Sequence, residues 1–384
     1  MHIKNHVSRT QPIRPSKIGL FYNCPLRYVF ETERHEFSGL PPGPQVYLGI
    51  AFHGAIEKFW GEPSIRGIDI REWIRAEFGK LILAEENGLC RWLYLRDGID
   101  GLIIPSLVSD VSRLAQQQVS ASGYGKFKGS SINNKKPQSI FGVERLLISE
   151  VLDLAGRADL IEKRDDGVSV VDFKLGLKLN ESGEPRTEYL LQLAAYALIV
   201  KEQLGNLDLS LELRSPKRST RHPFDAVLEA NVLQTIKKMH LTLPRLKAID
   251  QSEIAQKGDH CLSCGYRSNC SNYLTRLSTS QAVGDDFVSP LDVHGKVISI
   301  SQEDGMKSVL LSAKPDQRRV LISGIPNSVI GDHLKQGDDL LALSLRTPEV
   351  RSKGNYIANF HLFDCTNPRQ SAFSCKILRN SSLS

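Results

Sequence analysis

The sequence has no apolar run long enough to cross a bilayer. Its most apolar stretch, residues 190–200 (LLQLAAYALIV), is about half as long as the roughly 20 residues that a transmembrane helix needs. The N-terminal segment MHIKNHVSRTQPIRP lacks the apolar core of a signal peptide. These absences predict a cytoplasmic protein that is not inserted in a membrane.

A nucleotide-driven motor is also missing from the sequence. No phosphate-binding loop of the form G-x-x-x-x-G-K-[ST] occurs. The formal net charge of +6 is a mild basic excess, which permits a polyanionic partner without requiring one. At 384 residues, the chain is long enough for two domains.

Disulfides cannot account for all the cysteines, because their number is seven and a reducing compartment disfavours the bond. Cys261, Cys264 and Cys270 lie close together in GDHCLSCGYRSNC, with the spacing C-x2-C-x5-C. Three thiolates suit zinc or an iron–sulfur cluster, but they leave a four-coordinate site incomplete. The neighbouring His260 is one candidate for a fourth ligand to zinc.

The residues up to about 280 alternate between helical and strand patterns. Apolar residues at helical spacing predict helices at 16–30, 46–60, 69–87, 100–118, 188–204 and 225–248. The first of these helices has Ser16 as its expected N-cap and a break at Pro25. Alternating patterns predict strands at 140–148, 151–162, 167–174 and 207–214. The polar, basic segment 119–139 predicts a loop that is a candidate nucleic-acid contact.

The C-terminal part has a different pattern, which predicts a separate all-β domain over residues 285–384. Five β-like runs occur at 292–300, 307–313, 318–325, 338–345 and 356–363, with a helical-looking connection between the third and fourth. This layout is typical of an OB-like barrel, although SH3-like barrels give similar patterns. Tyr356, Phe360 and Phe363 are candidates for stacking on a single strand or for filling the barrel core.

An acidic turn in GRADLIEKRDDGVSVVDFKLG predicts a hairpin with a carboxylate on each strand. If the turn is centred on Asp165 and Asp166, paired residue numbers sum to 331, which places Asp159 opposite Asp172. Lys174 follows Asp172 by two residues and therefore points to the same side. Paired carboxylates suit a hard ion such as Mg²⁺, and a lysine beside it suits phosphate chemistry. The alternative is a surface hairpin with exposed charges.

These residues resemble the G-x-x-D…(D/E)-x-K core of the PD-(D/E)XK nuclease superfamily, in its RecB-like branch. That branch includes CRISPR-associated exonucleases and AddB-type nuclease domains. LGIAFHGAIEKFW is similar to its G-x-x-x-H helix, and LLQLAAYAL is similar to its Q-x-x-x-Y helix. One departure is Ala158, where the superfamily often has proline. The resemblance covers residues 12–275 and implies a nuclease domain over residues 1–280, with a restriction-endonuclease-like α/β core in which helices flank a mixed sheet.

The resemblance also implies a set of site residues. The expected catalytic residues are Asp159, Asp172, Lys174, Gln192 and Tyr196. The expected ligands of Mg²⁺ or Mn²⁺ are His53, Asp159 and Asp172. Glu144 matches an acidic position of the superfamily, where it orients the site or the lysine rather than binding metal.

Relatives with C-x2-C-x5-C often take a fourth thiolate from far upstream, in a short helix followed by proline. Here that residue is Cys24, in YNCPLRY. The resemblance thus implies that Cys24, Cys261, Cys264 and Cys270 hold a structural [4Fe–4S] cluster, with zinc as the alternative.

The resulting expectation is a Mg²⁺- or Mn²⁺-dependent deoxyribonuclease, an exonuclease or endonuclease acting on single-stranded DNA or DNA ends. A helicase or a larger repair or antiviral defence complex is the expected partner, because the chain has no motor of its own. Two other functions stay open: a catalytically silent DNA-end binding or scaffold subunit, and an iron–sulfur protein with a redox role.

Overall fold

Two compact units make up the chain in a computed structural model. The first combines Met1–Glu33, Ala51–Ile74 and Ser109–Gln256, and the second combines Arg34–Ile50, Arg75–Val108 and Lys257–Ser384. The structure describes residues 11–32, 39–40, 42–60, 69–84, 89–122, 140–176, 179, 182–245, 251–279, 291–303, 305–314, 317–327, 334–345, 358–361 and 374–378. None of the helices in these ranges has the length and apolarity that crossing a membrane requires.

Ten α-helices are described, and they largely follow the predicted pattern. They are α1 (Pro15–Asn23), α2 (Pro25–Thr32), α3 (Pro44–Phe59), α4 (Ile70–Leu83), α5 (Leu89–Asp97), α6 (Pro105–Ser122), α7 (Thr187–Leu204), α8 (Ala226–Thr242), α9 (Gln251–Ile254) and α10 (Ser271–Thr279). The break at Pro25 is confirmed. The predicted N-cap is wrong, because α1 begins at Pro15 and Arg14 is its N-cap. Proline is favoured at a first helical position, where its missing N–H costs nothing.

The first unit is built on a five-stranded mixed sheet with helices against it. Its strands are β1 (Gly142–Ser149), β2 (Leu154–Arg164), β3 (Gly167–Phe173), β4 (Leu209–Arg214) and β5 (Ser219–Pro223), in the order β1-β2-β3-β4-β5. Strands β3 and β4 are parallel, and the other neighbours are antiparallel. The prediction of a mixed sheet flanked by helices is confirmed.

Helix α7 forms the centre of the core against this sheet. Every residue from Leu193 to Val200 is buried, so the helix is enclosed rather than amphipathic. It packs with α1, α8 and the inward-facing residues of the strands, including Leu211 and Leu213 of β4. A helix fixed in this way can hold a polar residue near its N-terminus in a set position over β3.

The second unit contains a separate, mainly antiparallel C-terminal sheet. Its strands are β6 (Leu291–Glu303), β7 (Met306–Ala313), β8 (Arg318–Pro326), β9 (Asp339–Leu345), β10 (Ala358–His361) and β11 (Ser374–Leu378). Strands β6, β7 and β8 form a meander, β9 pairs with β6, and β10 runs parallel to β8. Four of the five predicted runs are strands, the described part of the fifth is β10, and β11 was not predicted. The predicted domain boundary near 280–285 lies outside the described residues, as do Tyr356, Phe363 and the side chain of Phe360.

A buried ion pair joins the cysteine-rich turn to this sheet inside the second unit. Arg267 donates to Asp292 through Nε at 2.5 Å and Nη2 at 3.3 Å, and the Tyr273 hydroxyl donates to the same carboxylate at 2.6 Å. The side chains of Arg267 and Asp292 are only 1% and 2% exposed. Burial is the largest influence and lowers the pKa of Arg267, but the charge and hydrogen bond of Asp292, with smaller contributions from Tyr273 and Cys264, together raise the pKa overall. The charge of Arg267 therefore depends on Asp292 for compensation.

Candidate active site

The hairpin of β2 and β3 has the predicted register. Leu160 faces Val171 and Arg164 faces Gly167, so paired numbers sum to 331 throughout the ladder. Asp165 and Asp166 form the two-residue turn. Continued by one pair, this register puts Asp159 opposite Asp172 at the open end of the hairpin.

Asp172, Lys174 and Gln192 meet on the side of the sheet that faces α7. Lys174 Nζ lies 3.1 Å and 2.9 Å from the two carboxylate oxygens of Asp172. Gln192 Nε2 donates to Asp172 Oδ1 at 2.7 Å, and Lys174 Nζ donates to Gln192 Oε1 at 3.4 Å. Burial lowers the pKa of Lys174, but the charge of Asp172 and its hydrogen bond raise the pKa on balance. The side chain of Asp172 is only 5% exposed, so α7 and the lysine fix its orientation.

Asp159 is held at the point where β2 twists. Its Oδ2 accepts a hydrogen bond of 2.7 Å from the backbone N–H of Phe173. Ala158 and Ile161, three residues apart, both join the core against α7, although simple alternation would put them on opposite faces. Burial, and then the charge of Asp172, raises the pKa of Asp159 to about 7. Two carboxylates held this close repel each other unless a cation lies between them.

His53 of α3 and Glu144 of β1 complete the cluster. His53 Nδ1 lies 3.4 Å from Glu144 Oε1 and 3.8 Å from Asp159 Oδ1. Burial alone lowers the pKa of His53, but the hydrogen bond to Glu144 and the charges of Asp159, Glu144 and Asp172 raise it overall. His53 is one-third exposed, so the cluster is open to solvent on one side.

Glu144 has a strained backbone, which the sequence did not reveal. Its φ is +48°, in the left-handed region that non-glycine residues rarely adopt. The β1–β2 ladder is interrupted here, at Glu144 and Asp159, between pairs that are otherwise in continuous register. Such strain costs about 1–2 kcal/mol, and it persists where the surrounding structure enforces it, often at functional sites. The family resemblance implies an orienting role for Glu144, and its geometry also makes it a candidate ligand.

The donor atoms fit a hard divalent cation. His53, Glu144 and Asp159 each offer one atom, and these atoms lie within 4.8 Å of one another. In the described part of the chain, Asp172 Oδ2 is buried without an aligned hydrogen-bond donor, even though the lysine ammonium is 2.9 Å away. Carboxylate oxygens with one imidazole suit Mg²⁺ or Mn²⁺. The structure thus brings His53 and Asp159 together with Glu144, and the hairpin register puts Asp172 opposite Asp159. The role of His53, Asp159 and Asp172 as ligands remains a prediction.

Two tyrosines of α7 support the site in different ways. The hydroxyl of Tyr196 donates to the backbone carbonyl of Arg157 at 2.6 Å, which ties α7 to β2 two residues before Asp159. Tyr189, which the sequence analysis did not identify, lies with its ring centre 5.6 Å from Lys174 Nζ. This contact gives the ammonium a cation–π partner opposite its carboxylate. The predicted catalytic role of Tyr196 is untested, and its observed contact positions the site.

Comparison with known proteins shows which family has these sequence elements. The model of the PD-(D/E)XK nuclease superfamily matches residues 13–271, about two-thirds of the chain. The chain belongs to the PD-(D/E)XK nuclease superfamily. The match includes the hairpin, the α3 histidine and the α7 glutamine, which are the elements that converge on the cluster.

Individual relatives of this superfamily member are distant. A CRISPR-associated exonuclease Cas4/endonuclease Cas1 fusion from Myxococcus xanthus (strain DK1622) is 29% identical over 133 residues, which cover 33% of this chain and 23% of that protein. The aligned part thus spans about a quarter of that relative. The crystal structure of SSO0001 matches with 15% identity and a TM-score of 0.30, over 70% of this chain and 89% of that one. A TM-score of 0.30 does not establish a common fold.

In the described part of this nuclease-family chain, five cysteines are thiols that form no disulfide: Cys24, Cys90, Cys261, Cys264 and Cys270. Cys24 is buried between α1 and α2 in the first unit. Cys261, Cys264 and Cys270 are half-buried in two short 3₁₀ turns of the second unit, where Cys264 N–H donates to Cys261 O at 3.1 Å. Their C-x2-C-x5-C spacing along the chain suits a soft metal or cluster. The four-cysteine site remains a prediction.

Removing the charge of Glu144 provides a test of its contribution to metal binding. In Glu144→Gln, we expect the affinity for Mn²⁺ to fall about 10- to 100-fold, as it does when a ligand or its supporting partner is lost. Isothermal titration calorimetry with Mn²⁺ measures this directly. Glu150→Gln, on the exposed turn that follows β1, is the matched control and should bind like the wild type. Equal affinity in Glu144→Gln and the wild type would remove Glu144 from the site.

Proposed function

We propose that the chain is a divalent-metal-dependent deoxyribonuclease that hydrolyses phosphodiester bonds in single-stranded DNA or at DNA ends. The observation that carries the proposal is the convergence of His53, Glu144, Asp159, Asp172 and Lys174 in one partly open cluster. Membership of a nuclease superfamily supports it. A surface hairpin with unrelated charges would not bury Asp172 beneath a glutamine and a lysine.

Each side chain has a distinct task in the proposed reaction. His53, Asp159 and Asp172 would hold Mg²⁺ or Mn²⁺, with Glu144 as a further ligand or an orienting partner of the histidine. The bound ion supplies a water activated for attack and a Lewis acid for the phosphoryl oxygen. Lys174 places its ammonium beside Asp172, where it can stabilise the negative charge that accumulates on the phosphate. Gln192 fixes both groups, since it bonds to each of them.

The test is a cleavage assay on end-labelled single- and double-stranded DNA in Mg²⁺ or Mn²⁺. Labelled fragments or nucleotides should accumulate with either ion, and more rapidly when the substrate is single-stranded or when cleavage starts from an end. No cleavage product should form in EDTA. Binding of DNA without cleavage in any divalent ion would instead identify a catalytically silent end-binding or scaffold subunit.

The assignment to the RecB-like branch and the cysteine cluster belong to the same proposal. Cys24, Cys261, Cys264 and Cys270 would hold a [4Fe–4S] cluster, or zinc in its place. Support comes from the thiol-rich turn and from the buried cation next to it: Arg267 Nη1 donates to Cys264 O at 2.9 Å.

Elemental analysis distinguishes the two metals. After anaerobic purification, we expect a brown protein that contains iron and acid-labile sulfide in equal amounts and little zinc. Cys24→Ser should lose most of the iron, whereas Cys90→Ser, at a buried cysteine outside the proposed set, should retain it. Zinc in place of iron would favour the alternative, and iron retained in Cys24→Ser would exclude Cys24 as a ligand.

Partners outside the chain are also part of the proposal. The similar Myxococcus protein is described as an exonuclease fused to a CRISPR-associated endonuclease, and this favours a larger defence complex as the setting. The C-terminal sheet, with its β6–β8 meander and β10 parallel to β8, supports an OB-like module that holds a single strand.

A further inference from the structure

The turn between β4 and β5 lies at the same end of the sheet as the candidate active site. Strands β3 and β4 are parallel, so their carboxyl ends lie at one edge. The backbone N–H of Lys174 donates to Arg214 O at 2.8 Å, and the turn of residues 215–218 follows Arg214 directly. Lys217 is three residues beyond Arg214, so the backbones of the two residues lie at most roughly 11 Å apart.

This turn is strongly basic. The segment RSPKRSTRH, residues 214–222, contains four arginines and lysines, one histidine and no acidic residue. The cations at its base are neutralised, because Arg214 pairs with Glu162 and Glu212, and Arg221 pairs with Asp166.

The tip of the turn carries the cations that are not neutralised. Lys217 and Arg218 are exposed, and among the described residues no carboxylate lies within ion-pair distance of either side chain. Two such cations next to each other repel, so the protein gains nothing in stability from placing them together. They are available for an anion from outside the chain.

Hydrogen bonds hold the backbone of the turn in one conformation. Ser215 N–H donates to Arg218 O at 2.8 Å, and Ser215 Oγ accepts from Arg218 N–H at 3.1 Å. Arg113 of α6, itself paired with Asp110, donates to Pro216 O at 3.4 Å. A rigid turn presents its cations with little loss of backbone entropy on binding.

We propose that Lys217 and Arg218 bind the phosphodiester backbone of the DNA strand that the active site cleaves, one or two nucleotides from the scissile phosphate. The inference rests on the proposed nuclease function and adds a substrate-binding surface to it. Because phosphate contacts carry no base information, the surface should bind all sequences alike. It would align the strand so that the next phosphate reaches Lys174.

The experiment measures binding of a fluorescent single-stranded oligonucleotide by anisotropy, in EDTA and over a range of salt concentrations. The variant is Lys217→Gln/Arg218→Gln, and the matched control is Lys237→Gln/Lys238→Gln, which removes two exposed charges from α8. We expect roughly tenfold weaker binding in the turn variant, and a salt slope smaller by about 1.4, from two lost contacts at about 0.7 each. The α8 control should stay within about twofold of the wild type.

Circular dichroism of both variants checks that they fold like the wild type. Unchanged affinity and slope in the turn variant, or an equal loss in the α8 control, would overturn the inference. Failure of the wild type to cleave DNA in Mg²⁺ or Mn²⁺ would overturn the nuclease proposal alone, because the anisotropy measurement needs no cleavage.

Discussion

Replacing Lys174 by alanine is expected to reduce the rate of DNA cleavage about 100- to 1000-fold. The ammonium is the one basic group that contacts Asp172 among the described residues, and in the proposed reaction it stabilises the charge that develops on the phosphate. Loss of one preorganised donor of this kind costs two to three orders of magnitude in the rate. The measurement is the initial rate of cleavage of end-labelled DNA in saturating Mn²⁺.

Lys163→Ala is the matched control for this prediction. Lys163 lies on the same hairpin with its side chain exposed, so its removal changes the charge equally without touching the cluster. The control should cleave at close to the wild-type rate, and both variants should keep the circular dichroism of the wild type. Cleavage by Lys174→Ala at the control's rate would contradict the assigned role of the lysine.

Asp292→Ala is expected to destabilise the second unit by about 3–5 kcal/mol. The substitution leaves Arg267 buried at 1% exposure without its counter-ion, and it removes the acceptor of the Tyr273 hydroxyl. Breaking one side of a buried pair costs this much because the remaining charge is uncompensated. Urea unfolding followed by circular dichroism measures the loss, with the thiols kept reduced.

Two comparisons make this prediction specific. Glu77→Ala breaks an exposed pair with Lys80 in the same unit and should cost at most about 1 kcal/mol. The double variant Arg267→Met/Asp292→Leu removes both charges, so it should be clearly more stable than Asp292→Ala. Equal losses of folding stability in Asp292→Ala and Glu77→Ala would show that the buried pair stabilises the protein no more than the exposed pair does.

The hairpin is the part of the site that the sequence predicted best. A two-residue turn at Asp165 and Asp166 fixes the register of everything on both strands, because the side-chain period of a strand is two. Asp159, Asp172 and Lys174 therefore followed from local information. The i, i+4 spacing of Gln192 and Tyr196 likewise placed both on the face of α7 that meets the strands.

Glu144 shows what the sequence leaves open, since the resemblance names the residue but not its contacts in the folded chain. Its position depends on how β1 pairs with β2 and on a positive φ, and neither property is written in the apolar pattern. The contacts of Tyr189 with Lys174 depend in the same way on the packing of α7 against β3. Long-range geometry decides such contacts, so only the folded chain reveals them.

The missed secondary structure has similar causes. Strand β5 (STRHP) has four polar side chains followed by a proline and is an edge strand, so it lacks the alternation that identifies half-buried strands. Helix α5 spans only nine residues and gives few repeats of its pattern. Both elements are specified by their neighbours more than by local propensity.

Manganese binding tests the central claim most directly, since the claim is that Asp159 and Asp172 hold a single divalent ion together. Isothermal titration calorimetry compares the wild type with Asp159→Asn, Asp172→Asn and the exposed turn variant Asp165→Asn. The predicted result is one Mn²⁺ site in the wild type and in Asp165→Asn, with affinity lost in each of the other two variants. Wild-type affinity in either Asp159→Asn or Asp172→Asn would contradict it.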